Sequence, residues 1–222
     1  MKRLLIVALS SWALTAAAAS AACTGQAGNS VFEDSFGDDS GGWDFSGGTK
    51  YSEVKDSTFV LHPNPGGSKE TNPNLSIANL TFSAGEGDFC IEFVLPKAVA
   101  PDNNVDLGIM FLRQDKNNYY VWQASTDKGV YLFRYSASNW STLYSNPTPS
   151  TQVNLEPGAV NTLRVTVKDA KVALFLNDQQ IKVIRAQIPT GELHFGIYTQ
   201  AAKSSDANPV ILVKSFKVTA GP

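Results

Sequence analysis

After its first 22 residues the chain is divided into short segments by turn-forming residues, and this spacing constrains its fold more than any other feature. Runs rich in β-branched and aromatic residues lie between clusters of Gly, Pro, Asn and Asp. The runs outside the aromatic block described below are 31–36, 57–62, 74–82, 88–96, 105–113, 161–168, 171–177, 179–185, 191–199 and 210–218. Such a pattern is typical of strands in a sandwich or barrel, and no long helical segment interrupts it. The sequence therefore predicts an all-β domain.

Turn chemistry supports this prediction. Asp169-Ala170 and Asn177-Asp178 lie between neighbouring runs and have residue types that favour tight hairpin turns. Within the run 88–96, Phe89, Ile91 and Phe93 alternate with more polar residues, which indicates a strand with one face in the core. The first run, 31–36, and the last, 210–218, are predicted to pair with each other.

The segment KNNYYVWQASTDKGVYLFRYSASNW (116–140) is different, because both faces of its two strands are apolar or aromatic. One face is expected in the core and the other on the surface or lining a groove. We predict that the core set comprises Tyr120, Trp122, Tyr131, Phe133 and Tyr135. The opposite face would then carry Tyr119, Gln123 and Arg134, joined by Arg113 and capped by Trp140 from a loop.

The N-terminal segment has the features of a secretory signal peptide. Lys2 and Arg3 precede an apolar stretch, and small residues follow up to Ala22. We therefore predict a signal peptide over 1–22, a flexible leader over 23–30 and a single β-sandwich domain over 31–222. No later segment reaches the ~18 apolar residues of a transmembrane span, and the predicted location is secreted or periplasmic.

The chain has two cysteines, Cys23 and Cys90. In an oxidising compartment they are expected to form a disulfide that ties the N-terminal segment to the sheet. The alternative is a lipoprotein acylated on Cys23, although Ser20 stands where a bacterial lipobox has an aliphatic residue.

Several blocks resemble the concanavalin A-like lectin/glucanase superfamily, in its laminin-G-like bacterial branch. They are FEDSF with the following GGW, LGIMFLRQDKNNYYVWQ (107–123), GVYLFRYSASNWSTL (129–143), NTLRVTVKDAKVALFLNDQQI (161–181) and the closing GELHFGIYT and VKSFKV. The resemblance covers about 185 residues, nearly the whole domain. It implies a two-sheet antiparallel jelly-roll sandwich with one concave sheet and a frequent role in carbohydrate or protein recognition. Similar domains include 3-keto-disaccharide hydrolases.

The carboxylate pattern of the family's glucanases is not matched. Glu86 and Glu92 are spaced one residue too far apart, and an extended strand would separate them by ~20 Å, too far to act on one glycosidic bond. His62 and His194 have no accompanying nucleophile motif. The sequence assigns no catalytic residue and favours a binding module over an enzyme.

The candidate ligand-binding residues combine aromatic rings with hydrogen-bonding side chains. Sugars stack on Trp and Tyr rings, while Arg and Gln side chains bind their hydroxyl groups. The candidates are Arg113, Tyr119, Gln123, Arg134, Trp140, His194 and Tyr198. The alternative is that these rings only pack, as aromatic residues in strands often do.

No cofactor is predicted, and calcium is left open. Asp102 to Asp106 and Asp115 with Asn117-Asn118 present hard oxygen ligands of the kind that Ca²⁺ prefers. A net charge of −2, without a basic cluster, argues against a nucleic-acid partner.

These features favour an extracytoplasmic module that binds a glycan or polysaccharide on its concave sheet. A glycoside hydrolase of the 3-keto-disaccharide hydrolase type and a structural or protein-interaction module are the alternatives.

Overall fold

The protein is an all-β sandwich of two antiparallel sheets. The computed structural model describes residues 23, 25–26, 28–38, 41, 43, 52–63, 86–97, 104–201 and 209–220. The predicted signal peptide, the run 74–82, and Asp102 and Asn103 lie outside the described residues. The strands, numbered in chain order, are β1 Asn29–Asp34, β2 Ser52–Val54, β3 Phe59–Leu61, β4 Gly87–Val94, β5 Val105–Asp115, β6 Asn118–Ser125, β7 Val130–Ser136, β8 Asn139–Asn146, β9 Asn161–Lys168, β10 Lys171–Leu176, β11 Gln179–Arg185, β12 His194–Ala201 and β13 Ile211–Ala220. Within the described residues there is no helix that could span a membrane.

Eight strands form one sheet and five form the other. The larger sheet has the order β11-β10-β9-β4-β13-β3-β2, and β1 pairs with β13 beside β3. The smaller sheet has the order β12-β5-β6-β7-β8. The predicted pairing of the first and last strands is confirmed, with Phe32 opposite Val218 and Asp34 opposite Phe216.

Tight turns join neighbouring strands where the sequence predicts them. Asp169-Ala170 and Asn177-Asp178 all have positive φ angles, between 49° and 62°. Two consecutive positive φ angles define the hairpin turn whose twist matches that of paired strands. Both predicted hairpins are thus confirmed.

The core lies between the sheets and consists almost entirely of aliphatic and aromatic side chains. Trp122 in β6 is fully buried, and its indole N–H donates a 3.0 Å hydrogen bond to the carbonyl oxygen of Phe175 in the opposite sheet. At the other side of the core, the stacked rings of Phe195 and Phe216 join the two sheets with centroids 5.6 Å apart. These contacts fix the distance between the sheets.

The N-terminal segment is fastened to the outside of the larger sheet. A disulfide joins Cys23 to Cys90 in β4, with a Cα–Cα distance of 5.9 Å, as predicted. The Gln26 side chain donates a 2.8 Å hydrogen bond to the Asp88 carbonyl, and the Asp88 carboxylate binds Arg164 in β9 at 2.6 Å. Strand β1 begins at Asn29, two residues earlier than predicted, so the end of the proposed leader is already part of the sheet.

Candidate functional site

The outer face of the five-stranded sheet carries a second cluster of aromatic side chains. In the β6–β7 pair, Tyr119 lies opposite Tyr135, Val121 opposite Phe133 and Gln123 opposite Tyr131. Residues directly opposite each other in an antiparallel pair share a face. We call this surface the aromatic face; its rings are Tyr119, Tyr131, Phe133, Tyr135, Trp140 and Tyr198.

The predicted orientation of β7 is therefore wrong. Tyr131, Phe133 and Tyr135 lie on the aromatic face, whereas Val130 and Leu132 are fully buried between the sheets. Both sets of β7 side chains are apolar, so alternation alone does not determine which set faces inward. The predicted core positions of Tyr120 and Trp122 in β6 are confirmed.

Trp140 is the centre of the aromatic face. It lies in strand β8 rather than in the predicted loop. Its ring centroid is 4.9 Å from that of Tyr135, 5.8 Å from Tyr119 and 6.0 Å from Phe133. Tyr119 and Tyr135 also contact each other, with centroids 5.1 Å apart. The Trp140 side chain is nevertheless only half-buried, so part of its ring remains open to solvent.

Tyr198 reaches Trp140 from the opposite edge of the sheet. Strands β8 and β12 are the two edges, and a flat sheet would place them ~19 Å apart. The Trp140 and Tyr198 ring centroids are only 6.0 Å apart. The two rings therefore lean toward each other over the three strands between them, as expected for a sheet that curves toward this face.

An open cleft of about 230 Å³ lies between these edge strands. Phe133, Trp140 and Thr142 form one wall, and Tyr198 and Gln200 form the other. The cleft thus combines three aromatic rings with hydroxyl and amide groups, the side-chain types that bind sugars.

One end of the aromatic face is acidic. Asp106 lies opposite Gln200 of β12 and Ser125 of β6, and its neighbour Leu107 points into the core, so Asp106 belongs to the aromatic face. Loss of hydration raises the pKa of Asp106 to about 6, hydrogen bonds from Ser125 and Gln123 partly offset this rise, and the negative charge of Asp127 reinforces it.

Asp127 is held in place by the β6–β7 turn. Its carboxylate accepts a 2.6 Å hydrogen bond from the Gly129 backbone N–H and another of 2.6 Å from the Tyr131 hydroxyl. In this turn Lys128 has a positive φ angle of 71°. The turn brings Asp127 close enough to Asp106 for the two carboxyl groups to interact.

The hydroxyl groups of Tyr119 and Tyr198 are neutral hydrogen-bonding groups. Burial raises the pKa of Tyr119 to about 12, and burial followed by the charge of Asp106 raises the pKa of Tyr198. The Tyr198 hydroxyl donates a 2.6 Å hydrogen bond to the Gln200 side-chain oxygen. This contact fixes the far wall of the cleft and leaves the Gln200 amide N–H₂ available to a ligand.

The absence of a side chain at Gly108 shapes the middle of the face. Gly108 lies opposite Tyr198 on one side and Gln123 on the other. A Cβ atom there would lie 2.7 Å from the Trp122 carbonyl oxygen and 2.9 Å from the Gln123 Cβ atom. Only glycine fits this close approach, so β5 and β6 pack tightly in the middle of the face.

Two of the predicted site residues lie elsewhere. Arg134 lies opposite Tyr120 and places its guanidinium 5.7 Å from that ring, on the side of the sheet that faces the core. It lines a separate cavity of about 360 Å³ at the end of the sheet, beside residues 187–190. His194 lines another small cavity with Phe89 and Leu112, at an edge between the sheets. The pairing is irregular here because β5 has one extra residue between Met110 and Arg113, with Leu112 at a φ angle of 50°, so His194 lies opposite Arg113.

Arg113 marks the other end of the aromatic face. Its positive charge lowers the pKa of Tyr119, which places the guanidinium near that phenol group, although burial outweighs this effect. Arg113 and Asp106 belong to the same strand, β5, and a separation of seven residues corresponds to ~20 Å. The aromatic face is therefore positive at one end and negative at the other.

The acidic segments proposed for calcium have other contacts. Asp115 accepts hydrogen bonds from the Asn117 backbone N–H and the Asn118 side chain, and Asp106 points along the aromatic face. Within the described residues, no three His, Cys, Asp or Glu side chains converge as metal ligands would. Glu92 lies in the other sheet and accepts a 2.8 Å hydrogen bond from Ser215, so it cannot act together with this face.

Sequence reasoning missed Thr142 and Gln200, and it assigned Asp106 to a calcium loop. Alternation could have identified two of them, because Asp106 and Gln200 are the polar members of strands that otherwise alternate with buried Leu107 and Ala201. Their closeness to each other could not have been found, since it depends on the β5–β12 pairing.

Replacing Asp106 with asparagine is expected to stabilise the protein above pH 6. The folded-state pKa of this acid is raised from 3.8 to about 6, so the folded protein binds the proton more tightly than the unfolded chain. Ionisation of Asp106 therefore lowers the free energy of unfolding of the parent protein. This loss of stability is absent below the unfolded pKa, grows between pH 4 and 6, and above pH 6 is on the order of 1–3 kcal/mol. Urea unfolding at pH 4 and pH 7.5 measures it. A variant that gains the same stability at both pH values would contradict this prediction.

Comparison with known proteins identifies the fold and gives no family by sequence. No protein-family model matches the chain, and no curated protein matches it. Many solved structures do match. The β-glucanase of Bacillus licheniformis is 12% identical, with a TM-score of 0.55, over 88% of this chain and 100% of that one. The catalytic domain of an endo-1,3-β-glucanase (laminarinase) from Thermotoga petrophila is also 12% identical, with a TM-score of 0.56, over 86% of this chain and 98% of that one.

A third similar structure is the family GH43 protein BlXynB from Bacillus licheniformis. It is 10% identical, with a TM-score of 0.59, over 85% of this chain. The present chain spans only about two fifths of its length, 39%. At such low identities the matches establish the fold alone. The protein is thus a concanavalin A-like jelly-roll sandwich, the fold that the sequence resemblance implied.

Proposed function

We propose that this protein is an extracytoplasmic module that binds carbohydrate on its aromatic face. The observation that carries the proposal is the half-open Trp140 ring, which forms a cleft with Phe133 and Tyr198 outside the hydrophobic core. The C–H groups of a sugar ring stack on such side chains, and Thr142 and Gln200 can bind its hydroxyl groups. Two of the structures that share the fold are named as glucanases, which supports the same class of ligand. The disulfide and the predicted signal peptide support a secreted or periplasmic location.

Trp140→Ala is expected to weaken glycan binding at least about tenfold, or ~1.4 kcal/mol. Because Trp140 also packs against Tyr119 and Tyr135, the same change should lower the free energy of unfolding by ~1–2 kcal/mol, well short of unfolding the domain. A glycan array first identifies ligands of the mature protein, with and without calcium, and calorimetry then measures the affinity of each variant.

Phe175→Ala provides the matched control. Phe175 is a half-buried ring in β10 of the other sheet, beside Arg164, with ring and guanidinium 4.9 Å apart. Its removal should leave glycan affinity unchanged. If Trp140→Ala binds every glycan as the parent protein does, the proposed site is wrong. If the parent protein binds no glycan, the alternative of a structural or protein-interaction module gains support.

The pair of carboxyl groups favours one further candidate, hydrolysis of a glycosidic bond. Glycoside hydrolysis generally uses two carboxyl groups, of which the acid has a raised pKa. Asp106, with its pKa of about 6, would protonate the leaving oxygen, while Asp127 would take a proton from the attacking water. Chromatography of each bound glycan after incubation with the protein at pH 5–6 tests this candidate. Products that persist with Asp106→Asn would contradict the assignment.

A further inference from the structure

The charges around the cleft select among glycans, an inference that rests on the proposed function. The carboxyl groups of Asp106 and Asp127 lie at the end of the aromatic face beside Gln200 and Tyr198, which form one wall of the cleft. The groups shown to act on Asp106 there are Asp127, Ser125 and Gln123, and the titratable phenols affected by its charge are Tyr131 and Tyr198. No cation is among the groups that shift the pKa of Asp106, and Lys128, in the same turn as Asp127, is exposed to solvent. A ligand that reaches this end meets aromatic rings and negative charge together.

Aromatic rings and carboxylates together attract one kind of ligand group, the ammonium ion. A cation is drawn to the electron-rich face of a Trp or Tyr ring, and a nearby carboxylate adds a direct attraction. A carboxylate or sulfate on a sugar would be repelled by the same two groups. Within a site that stacks sugars, a positively charged amino group on the sugar ring is therefore the complementary feature.

We propose that the aromatic face binds glycans that contain unacetylated amino sugars, with the ammonium group directed toward Asp106. The sugar ring stacks on the half-buried rings of Trp140 and Phe133, and the charged nitrogen lies at the Gln200 end of the cleft. Arg113, at the opposite end, lies far from this position. The N-acetyl form of the same sugar has no charge and does not gain this attraction.

Protonation of Asp106 provides a measurement that distinguishes binding of a cation from stacking alone. The carboxyl group has a pKa of about 6 in the free protein, and a bound cation favours its ionised form. Binding of a sugar with a permanent positive charge near pH 6 therefore releases a fraction of a proton from Asp106, whereas binding of the N-acetyl form does not. Calorimetry in two buffers with different ionisation enthalpies detects that proton.

The test compares three hexamers of β-1,4-linked glucosamine that differ only at nitrogen. One is N-acetylated, one carries free amines, and one is N-trimethylated and so holds its charge at every pH. At pH 7.5 the trimethylated hexamer is expected to bind about tenfold more tightly than the N-acetylated hexamer. At pH 4.5, where Asp106 is mostly protonated, the ratio of the two affinities should fall several-fold. The trimethylated hexamer, whose charge does not change with pH, should also show the proton release at pH 6.

Two variants test whether Asp106 causes the preference for the charged hexamer. Asp106→Asn should bring the ratio of the two affinities at pH 7.5 close to 1. Glu53→Gln removes the same charge from an exposed position in β2 of the other sheet and should keep the ratio near ten. Circular dichroism and urea unfolding confirm that both variants are folded.

The outcomes separate this inference from the proposed function. Equal binding of the charged and acetylated hexamers overturns the inference and leaves the carbohydrate-binding function standing. The inference is also overturned if Asp106→Asn keeps the preference, if Glu53→Gln loses it, or if a galacturonate hexamer binds more tightly than the trimethylated one. If no glycan of any charge binds, both proposals are wrong.

Discussion

Trp122→Ala is expected to lower the free energy of unfolding by about 3–5 kcal/mol. The Trp122 side chain is fully buried between the sheets, and its loss leaves a large cavity that the neighbouring strands cannot close. The change also removes the hydrogen bond to the Phe175 carbonyl oxygen, which would remain in the core without that partner. Urea unfolding followed by circular dichroism measures the effect.

Phe133→Ala is the informative comparison for Trp122→Ala. Phe133 belongs to the neighbouring strand but lies half-buried on the aromatic face, where it contacts Trp140 and Tyr131. Its removal is expected to lower the free energy of unfolding by only ~1–2 kcal/mol, because one side of the ring already faces solvent. A loss for Phe133→Ala as large as that for Trp122→Ala would show that Phe133 belongs to the core, contrary to the β6–β7 register.

Replacement of both Cys23 and Cys90 with alanine is expected to destabilise the protein by roughly 4 kcal/mol. The disulfide links positions 67 residues apart, and a cross-link over so long a loop restricts the unfolded chain strongly. Its removal also frees the N-terminal segment from the outer side of β4. Urea unfolding of the oxidised protein and of the variant measures the difference.

A reducing agent provides the control for the disulfide. It should destabilise the parent protein by about as much as the double replacement and leave the variant unchanged. Thiol titration of the oxidised mature protein should find no free thiol. Two free thiols, or a lipid attached to Cys23, would contradict the cross-link.

The fold could be predicted from the sequence because its determinants are local. Alternation in β4 and turn residues such as Asn177-Asp178 depend only on neighbouring positions, and this strand and this hairpin lie where the pattern indicates. Strand β8, in contrast, lies in a segment that was expected to be a loop. The pairing of β1 with β13 was also predictable, since alternating terminal strands need partners at their edges. The resemblance to concanavalin A-like proteins added the two-sheet architecture.

The site was only partly predictable. Tyr119, Gln123, Trp140 and Tyr198 were identified as surface candidates from residue type and alternation, and they share the aromatic face. Arg134 was misplaced because β7 offers apolar side chains on both faces, so its phase had to be set by pairing with β6. The surroundings of His194 could not be predicted, because an extra residue in the neighbouring strand β5 makes the pairing irregular at this point.

The sequence by itself determined the class of fold and the position of the turns named above, because each follows from local residue chemistry. It favoured the pairing of Cys23 with Cys90 over acylation of Cys23, and the structure contains that disulfide. Only the tertiary structure decided that Trp140 and Tyr198, 58 positions apart in the chain, form one cleft, and that Asp106 and Asp127 lie together beside it. The reason is physical. Strand order and register bring distant residues together, and a one-residue change in register would turn every side chain of a strand to the opposite face.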